Sequence, residues 1–190
     1  MPVQTVALDR DDMRRTLMRI AHEIAEKNPA RAGSREPGLA IVGVHRRGAV
    51  LATRLRALTG ALTESEIPLG TVDISFYRDD LGLPERRTAA APVVHSTALD
   101  FTVDNRTIVI VDDVLYTGRT VRAAIDVLFD YGRPARVQLA VMVDRGHREL
   151  PIRPDYVGKN LPTARGQRVN VHVEEIDGTD EVMLIEESRP

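Results

Sequence analysis

Apolar positions along this chain follow two rhythms. Met13, Leu17, Ile20 and Ile24 recur at spacings of four, three and four residues, which predicts a helix over Asp9 to Asn28 with one buried face. At about 100° per residue, Arg15, Arg19 and His22 fall on the opposite side of that helix. Pro29 and the glycines from Gly33 to Gly38 mark a loop. Elsewhere the apolar residues come in nearly continuous runs, as in strands buried on both faces: Leu39 to Val44, Ile108 to Val111 and Val137 to Val143. His45 to Gly48 reads as an exit turn and Ala49 to Thr59 as a helix. A third helix is predicted over Arg119 to Tyr131, ended by Gly132 and Pro134. Gly70 to Ser75 reads as a strand, and Asp79 to Pro92, charged and holding Gly82 and Pro84, as a mobile loop. Val169 to Val173 and Val182 to Ile185 are short strands around a turn at Asp177-Gly178, expected as a late strand and an appended edge. Strands alternating with helices predict an α/β fold with a mostly parallel central sheet.

Composition narrows this to one domain over residues 1–190, a length that supports a substantial core. The absence of Cys excludes a disulfide scaffold and thiolate chemistry. No apolar run approaches a membrane span, and Met1 to Asp9 lacks the features of a signal peptide, so a cytoplasmic protein is expected. The formal net charge of -2 conceals an uneven distribution. Glu174, Glu175, Asp177, Asp180, Glu181, Glu186 and Glu187 make the C-terminal stretch acidic, while Arg145, Arg148, Arg153, Lys159, Arg165 and Arg168 gather just before it. A basic surface can therefore coexist with a near-neutral total.

The chemistry concentrates after the second apolar run, in Val111-Asp112-Asp113-Val114-Leu115-Tyr116-Thr117-Gly118-Arg119-Thr120. A buried strand there delivers two carboxylates to the carboxyl edge of a parallel sheet, where open α/β folds place their ligands. The following turn opens a helix, whose backbone N–H groups can face a phosphate. Gly118 permits close approach, and the Thr117 and Thr120 hydroxyls add neutral donors. A sugar diol and a phosphate can be read side by side. Acids that merely cap the next helix are the bland alternative, and a receiver-type phosphorylation site is another. Neither explains why Gly and two hydroxyls follow the acids within one strand-to-helix turn.

This segment resembles the phosphoribosyl diphosphate (PRPP) signature of type I phosphoribosyltransferases. Four further segments make the chain similar to one branch, the PyrR family of pyrimidine operon attenuators and uracil phosphoribosyltransferases. They are Arg14-Arg15 with Arg19 to Glu23; Asp73-Ile74 with Tyr77 to Leu81; Asp144 to Pro151; and Asp155 to Asn160. The resemblance implies a phosphoribosyltransferase fold with a small hood. Asp112 and Asp113 would bind the ribose hydroxyls and Thr117, Gly118, Arg119 and Thr120 the 5'-phosphate, with Val114, Leu115 and Tyr116 also in the substrate-binding segment. Arg46, Arg47 and Gly48 would form the diphosphate loop, with Arg46 standing where the family has threonine. Asp112, Asp113 and Arg47 are the expected catalytic residues. Arg78 would meet PRPP from the mobile loop, whose closure would exclude water. Arg145 and backbone near Val157 would read uracil. Tyr116 occupies the position at which purine-type relatives carry an acid, and a phenol is a poor base at neutral pH, which favours a pyrimidine. Mg2+ would accompany the diphosphate, held by substrate oxygens and water, with no metal site built by the protein itself.

The same resemblance implies a second activity. Arg19, His22, Lys27, His147, Arg148, Arg153 and Lys159 match positions that bind the leader mRNA of pyrimidine genes, with Met18 in place of a hydroxyl residue and Lys27 in place of arginine. UMP or UTP in the catalytic site is expected to raise RNA affinity through the shared segment Asp144 to Asn160. A homo-oligomer, dimeric or larger, is expected. The alternatives are a salvage phosphoribosyltransferase for another base and an RNA-binding regulator with negligible catalysis.

Overall fold

The computed structural model describes residues 3–29, 38–75, 97–164 and 166–186. In chain order the elements are β1 (Val3–Leu8), α1 (Arg10–Lys27), β2 (Leu39–Val44), α2 (Arg47–Thr63), β3 (Leu69–Val72), β4 (Thr107–Leu115), α3 (Arg119–Tyr131), β5 (Arg136–Asp144), β6 (Tyr156–Asn160), β7 (Gln167–His172), α4 (Glu174–Asp177) and β8 (Glu181–Glu186). Arg78, Arg165 and the loop expected over Asp79 to Pro92 lie outside the described residues, as does most of the loop after Pro29. No helix among the described residues is long and apolar enough to cross a membrane.

A five-stranded sheet forms the centre, in the order β3-β2-β4-β5-β6, and every pairing in it is parallel. The nearly continuous apolar runs are explained by burial on both faces. One face packs Val109, Val111, Ala140 and Met142 against Leu17, Ile20 and Ile24 of α1 and Leu51 and Leu55 of α2. The other packs Ile108, Ile110, Leu139 and Val141 against Val121, Ala124, Val127 and Leu128 of α3. The chain runs from β2 outward to β3, then returns to place β4 on the other side of β2. Strand order therefore reverses between β2 and β4, and the carboxyl ends at such a switch are where open α/β sheets have their ligand crevice.

The appended region is a three-stranded antiparallel hood sheet, β1-β8-β7, with α4 in the β7–β8 connection. Its inner residues Leu8, Val169, Val171, Val173 and Val182 join the α1 and α2 side of the core. β1 had no counterpart in the sequence reading, because its exposed-to-buried pattern carries no alternation until it pairs with β8.

Several boundaries differ from expectation. α2 begins at Arg47 and runs to Thr63, absorbing residues read as a turn. β3 stops at Val72, since Asp73 Oδ1 accepts hydrogen bonds from the Ser75 backbone N–H (2.8 Å) and hydroxyl (2.5 Å), which turns the chain. α1 starts behind a capping box: the Asp12 N–H donates to Asp9 Oδ1 at 2.8 Å and the Asp9 N–H to Asp12 Oδ2 at 3.3 Å.

Candidate functional site

β4 runs through the acid pair and on to Leu115 rather than ending at the acids. Val109, Val111 and Val114 border one core face, and Ile108, Ile110 and Leu115 the other, so the strand's alternation slips by one residue across Asp112 and Asp113. Local hydrogen bonds hold the slip: the Asp113 N–H donates to Asp112 Oδ1 at 2.9 Å and the Val114 N–H to Asp113 Oδ1 at 2.8 Å. Asp112 is only 6% exposed, whereas Asp113 is half-buried. Burial first, then the neighbouring Asp113 carboxylate, push the Asp112 carboxyl well above its ordinary range.

Beyond the acids, Gly118 takes φ +93 and caps α3, so the turn relies on a residue without a side chain. Thr117 and Thr120 are half-buried beside it. Thr117 Oγ1 accepts from the Arg119 N–H at 3.3 Å, and the Thr117 carbonyl accepts from Glu149 and Leu150 N–H at 3.0 and 3.1 Å. Arg119 Nε reaches Glu149 Oε2 at 2.8 Å. The amino-terminal end of α3 is thus braced from behind by 149–152.

Across the crevice, His45 and Arg46 are joined by a cis peptide, and α2 begins at Arg47. Gly48 is required by proximity: a Cβ there would lie 2.6 Å from the Val111 carbonyl oxygen and 3.4 Å from Asp112 Oδ1. The first turn of α2 therefore abuts the acid pair. Arg46 is exposed and enters no ion pair among the described residues. Arg47 instead grips Asp177 of the hood, with Nε to Oδ2 at 3.0 Å and Nη2 to Oδ1 at 2.6 Å. The sequence reading missed Asp177, whose place in an acidic run gave no sign of a partner.

Arg145 is buried, with Nε donating to Thr163 Oγ1 at 3.1 Å and Nη2 to the Gln167 carbonyl at 2.7 Å. Its guanidinium stacks on the Tyr116 ring, and His147 meets the same ring edge-on at a centroid separation of 6.0 Å. The Val157 carbonyl accepts from Arg19 Nη2 at 2.9 Å, so part of the backbone expected to read a base is held by α1.

The comparisons with known proteins match this geometry. The family model described as "Phosphoribosyl transferase domain" matches residues 10–175. "Bifunctional protein PyrR" of Roseiflexus sp. (strain RS-1) is 55% identical over 94% of this chain and 93% of the relative. "Bifunctional protein PyrR" of Deinococcus radiodurans is 53% identical over the same shares. The chain belongs to the PyrR branch of the phosphoribosyl transferase domain family. Among solved structures, the hypoxanthine phosphoribosyltransferase of Trypanosoma cruzi superposes with a TM-score of 0.69 at 16% identity, covering 97% of each chain. That of Staphylococcus aureus gives 0.65 at 17% identity, covering 94% of this chain and 90% of the other. Both likenesses show the fold.

For a PyrR-branch chain, the placement of the basic residues matters next. His22, His147 and Arg153 are exposed, and Lys159 is half-buried on edge strand β6. Arg19 also donates to the Gly158 carbonyl at 2.7 Å and pairs with Glu23, while Lys27 Nζ donates to the Asp155 carbonyl at 3.2 Å and lies 4.7 Å from the Tyr156 ring centre. Arg148, expected to bind RNA, is half-buried and turned inward. Its guanidinium bonds Asp144 Oδ2 (2.5 Å), the Ile152 carbonyl (3.0 Å) and the Tyr116 carbonyl (2.7 Å), which makes it an internal brace between the Tyr116 turn and β5.

Proposed function

We propose that this chain transfers the phosphoribosyl group of PRPP to uracil, giving UMP and diphosphate, and that it attenuates pyrimidine-gene transcription by binding leader mRNA when a uridine nucleotide is present. The observation that carries this reading is the acid pair at the switch between β2 and β4, flanked by the Gly118 turn on one side and Gly48 with Arg46 and Arg47 on the other. PRPP has anions at both ends of its ribose, and this crevice has anion-binding groups at both ends of a carboxylate pair.

Thr117 to Thr120 hold the 5'-phosphate through backbone N–H groups and hydroxyls. Asp112 and Asp113 accept the ribose hydroxyls. Positive charge developing at the anomeric carbon as diphosphate leaves is offset by these fixed carboxylates, in a site already organised for it. Arg46 and Arg47 stabilise the departing diphosphate. Arg145, held by Tyr116, Thr163 and Gln167, reads the base. Tyr116 supplies no carboxylate to accept a purine proton, which favours uracil.

Mg2+ fits the donor set as a hard ion on hard oxygens. Three acids or histidines do not come together among the described residues, so substrate oxygens and water would supply most ligands, with Asp113 as the accessible carboxylate. Bound there, the ion would neutralise diphosphate charge.

The exposed residues His22, His147 and Arg153, with Lys159 beside them, form the RNA surface. Phosphate contacts give it affinity and salt dependence, and unpaired loop bases give specificity. The segment Asp144 to Asn160 touches the phosphate turn at one end and carries basic residues at the other, which is the route by which a nucleotide alters RNA affinity. Such coupling is reciprocal in binding free energy. Cytoplasmic location and assembly as a homo-oligomer belong to the same reading.

One preparation tests both halves. PRPP-dependent release of diphosphate should occur with uracil and exceed that with hypoxanthine, guanine or orotate. A labelled leader hairpin should bind more tightly when UMP is added. Turnover with another base alone would leave a salvage enzyme, and RNA binding without turnover would leave a regulator.

A further inference from the structure

Arg47 is the guanidinium assigned above to the diphosphate, and one hood carboxylate holds it. The Nε–Nη2 edge of Arg47 is occupied by the two oxygens of Asp177, 130 residues away in sequence. Asp177 is itself immobilised. Its Oδ2 accepts from the Val173 N–H at 2.9 Å, its own N–H donates to the Val173 carbonyl at 2.8 Å, and its side chain is 17% exposed.

A guanidinium has five N–H donors and can grip oxyanions along more than one edge. With the Nε–Nη2 edge committed, the Nη1 side is the one left for another anion. Arg47 also precedes Gly48, whose backbone packs against Val111 and Asp112, so the residue held by the hood adjoins the acid pair. The hood will not swing away to free the other edge. Arg54, one helical segment further along α2, binds Glu175 (3.0 and 2.5 Å) and Asp180 (3.1 and 2.8 Å) on either side of Asp177. An unrestrained arginine would have to surrender its rotamer freedom as substrate arrives, whereas this one has already done so.

We propose that Asp177 is a positioning residue for the diphosphate site: it holds Arg47 in the orientation that receives the leaving group and links the hood to catalysis. The proposal rests on the reading of Arg47 as a diphosphate ligand. The opposite device, an internal carboxylate competing with diphosphate for Arg47, would require Asp177 to be displaced, and the double tether through Arg54 opposes that.

The test is calorimetric titration of the full chain with magnesium diphosphate and, separately, with UMP, alongside steady-state kinetics in PRPP. Asp177→Asn should weaken diphosphate and raise the KM for PRPP by about tenfold, the scale of one charge-assisted hydrogen bond. UMP affinity should stay near that of the parent. Asp177→Glu, which keeps the charge, should recover part of the loss. Glu175→Gln loosens the same helix without touching Arg47 and should leave diphosphate affinity unchanged. Unaltered or tighter diphosphate binding in Asp177→Asn, or an equal loss in Glu175→Gln, overturns the positioning role. Diphosphate binding that survives Arg47→Ala at parental strength overturns the assignment of Arg47, and the proposal with it.

Discussion

The guanidinium carbon of Arg145 lies 4.1 Å from the centre of the Tyr116 ring. The two residues end adjacent strands, with Leu115 paired to Asp144 and the Arg145 N–H donating to the Leu115 carbonyl at 3.1 Å. The stack needs the ring and not its hydroxyl. Tyr116→Phe should therefore keep the parental KM for uracil, while Tyr116→Leu should raise it a few-fold, as expected for loss of about 0.5–2 kcal/mol of cation–π attraction. Equal KM values for the two variants would show that the stack does not orient Arg145 for the base.

Asp112 should oppose stability in its charged form. An acid whose folded pKa exceeds its unfolded value, here 3.8, costs the fold stability as pH rises from that value through the folded pKa. Asp112→Asn should accordingly raise the thermal midpoint at neutral pH, with the gain fading below about pH 4. Turnover should fall by roughly 10²-fold or more. Melting curves at the two pH values, with a uracil assay, check both arms.

Arg148 braces the Asp144 carboxylate and several backbone carbonyls from inside, so its loss should not be confined to RNA. Arg148→Gln should lower the thermal midpoint by an amount equivalent to about 3 kcal/mol, since it takes the Arg148 donor from Asp144 Oδ2 and the Tyr116 carbonyl. PRPP turnover and RNA affinity should fall together. Arg153→Gln, on an exposed side chain, should weaken RNA and leave melting unchanged. Gel-shift and melting measurements on the pair distinguish a brace from a contact.

Gly48→Ala should damage the site from the backbone side, because the added methyl carbon meets the Val111 carbonyl oxygen at 2.6 Å. α2 must retreat from β4, at a cost of about 1–3 kcal/mol, and Arg47 moves with it. The KM for PRPP should rise more than the KM for uracil, which initial-rate kinetics in each substrate would show.

The hood should loosen in acid. Hydrogen bonding to Arg47 holds the Asp177 carboxyl down at about 2 against an ordinary 3.8, and Arg54 lowers Glu175 and Asp180. These depressed groups contribute stability above the unfolded value, and it is lost as pH falls toward about 2. Arg54→Gln should flatten the stability profile between about pH 4 and pH 2 relative to the parent. A profile of unchanged slope would show that the ion pairs do not hold the hood.

The helix over Arg119 to Tyr131, the strand over Leu39 to Val44 and the acid-glycine-hydroxyl turn were legible in the sequence because each depends on neighbours within a few residues. Apolar periodicity, a helix stop at Gly132 and a contiguous motif need no tertiary information. β1 was not legible, since its pairing partner β8 lies at the other end of the chain. The inward turn of Arg148 and the tie of Arg19 to β6 were hidden for a related reason. A basic side chain looks the same in sequence whether it meets solvent, RNA or a carbonyl.

By itself, then, the sequence determined the alternation of buried strands and helices, and the order in which acids, glycine and hydroxyls follow the central strand. Local dihedral and hydrophobic preferences suffice for that. Only the tertiary structure decided that Arg47 would answer to Asp177, that Arg145 would stack on Tyr116, and that the acid pair would sit against Gly48. Those relationships join residues far apart in the chain, and the packing of hood, helices and sheet brings them within a few ångströms.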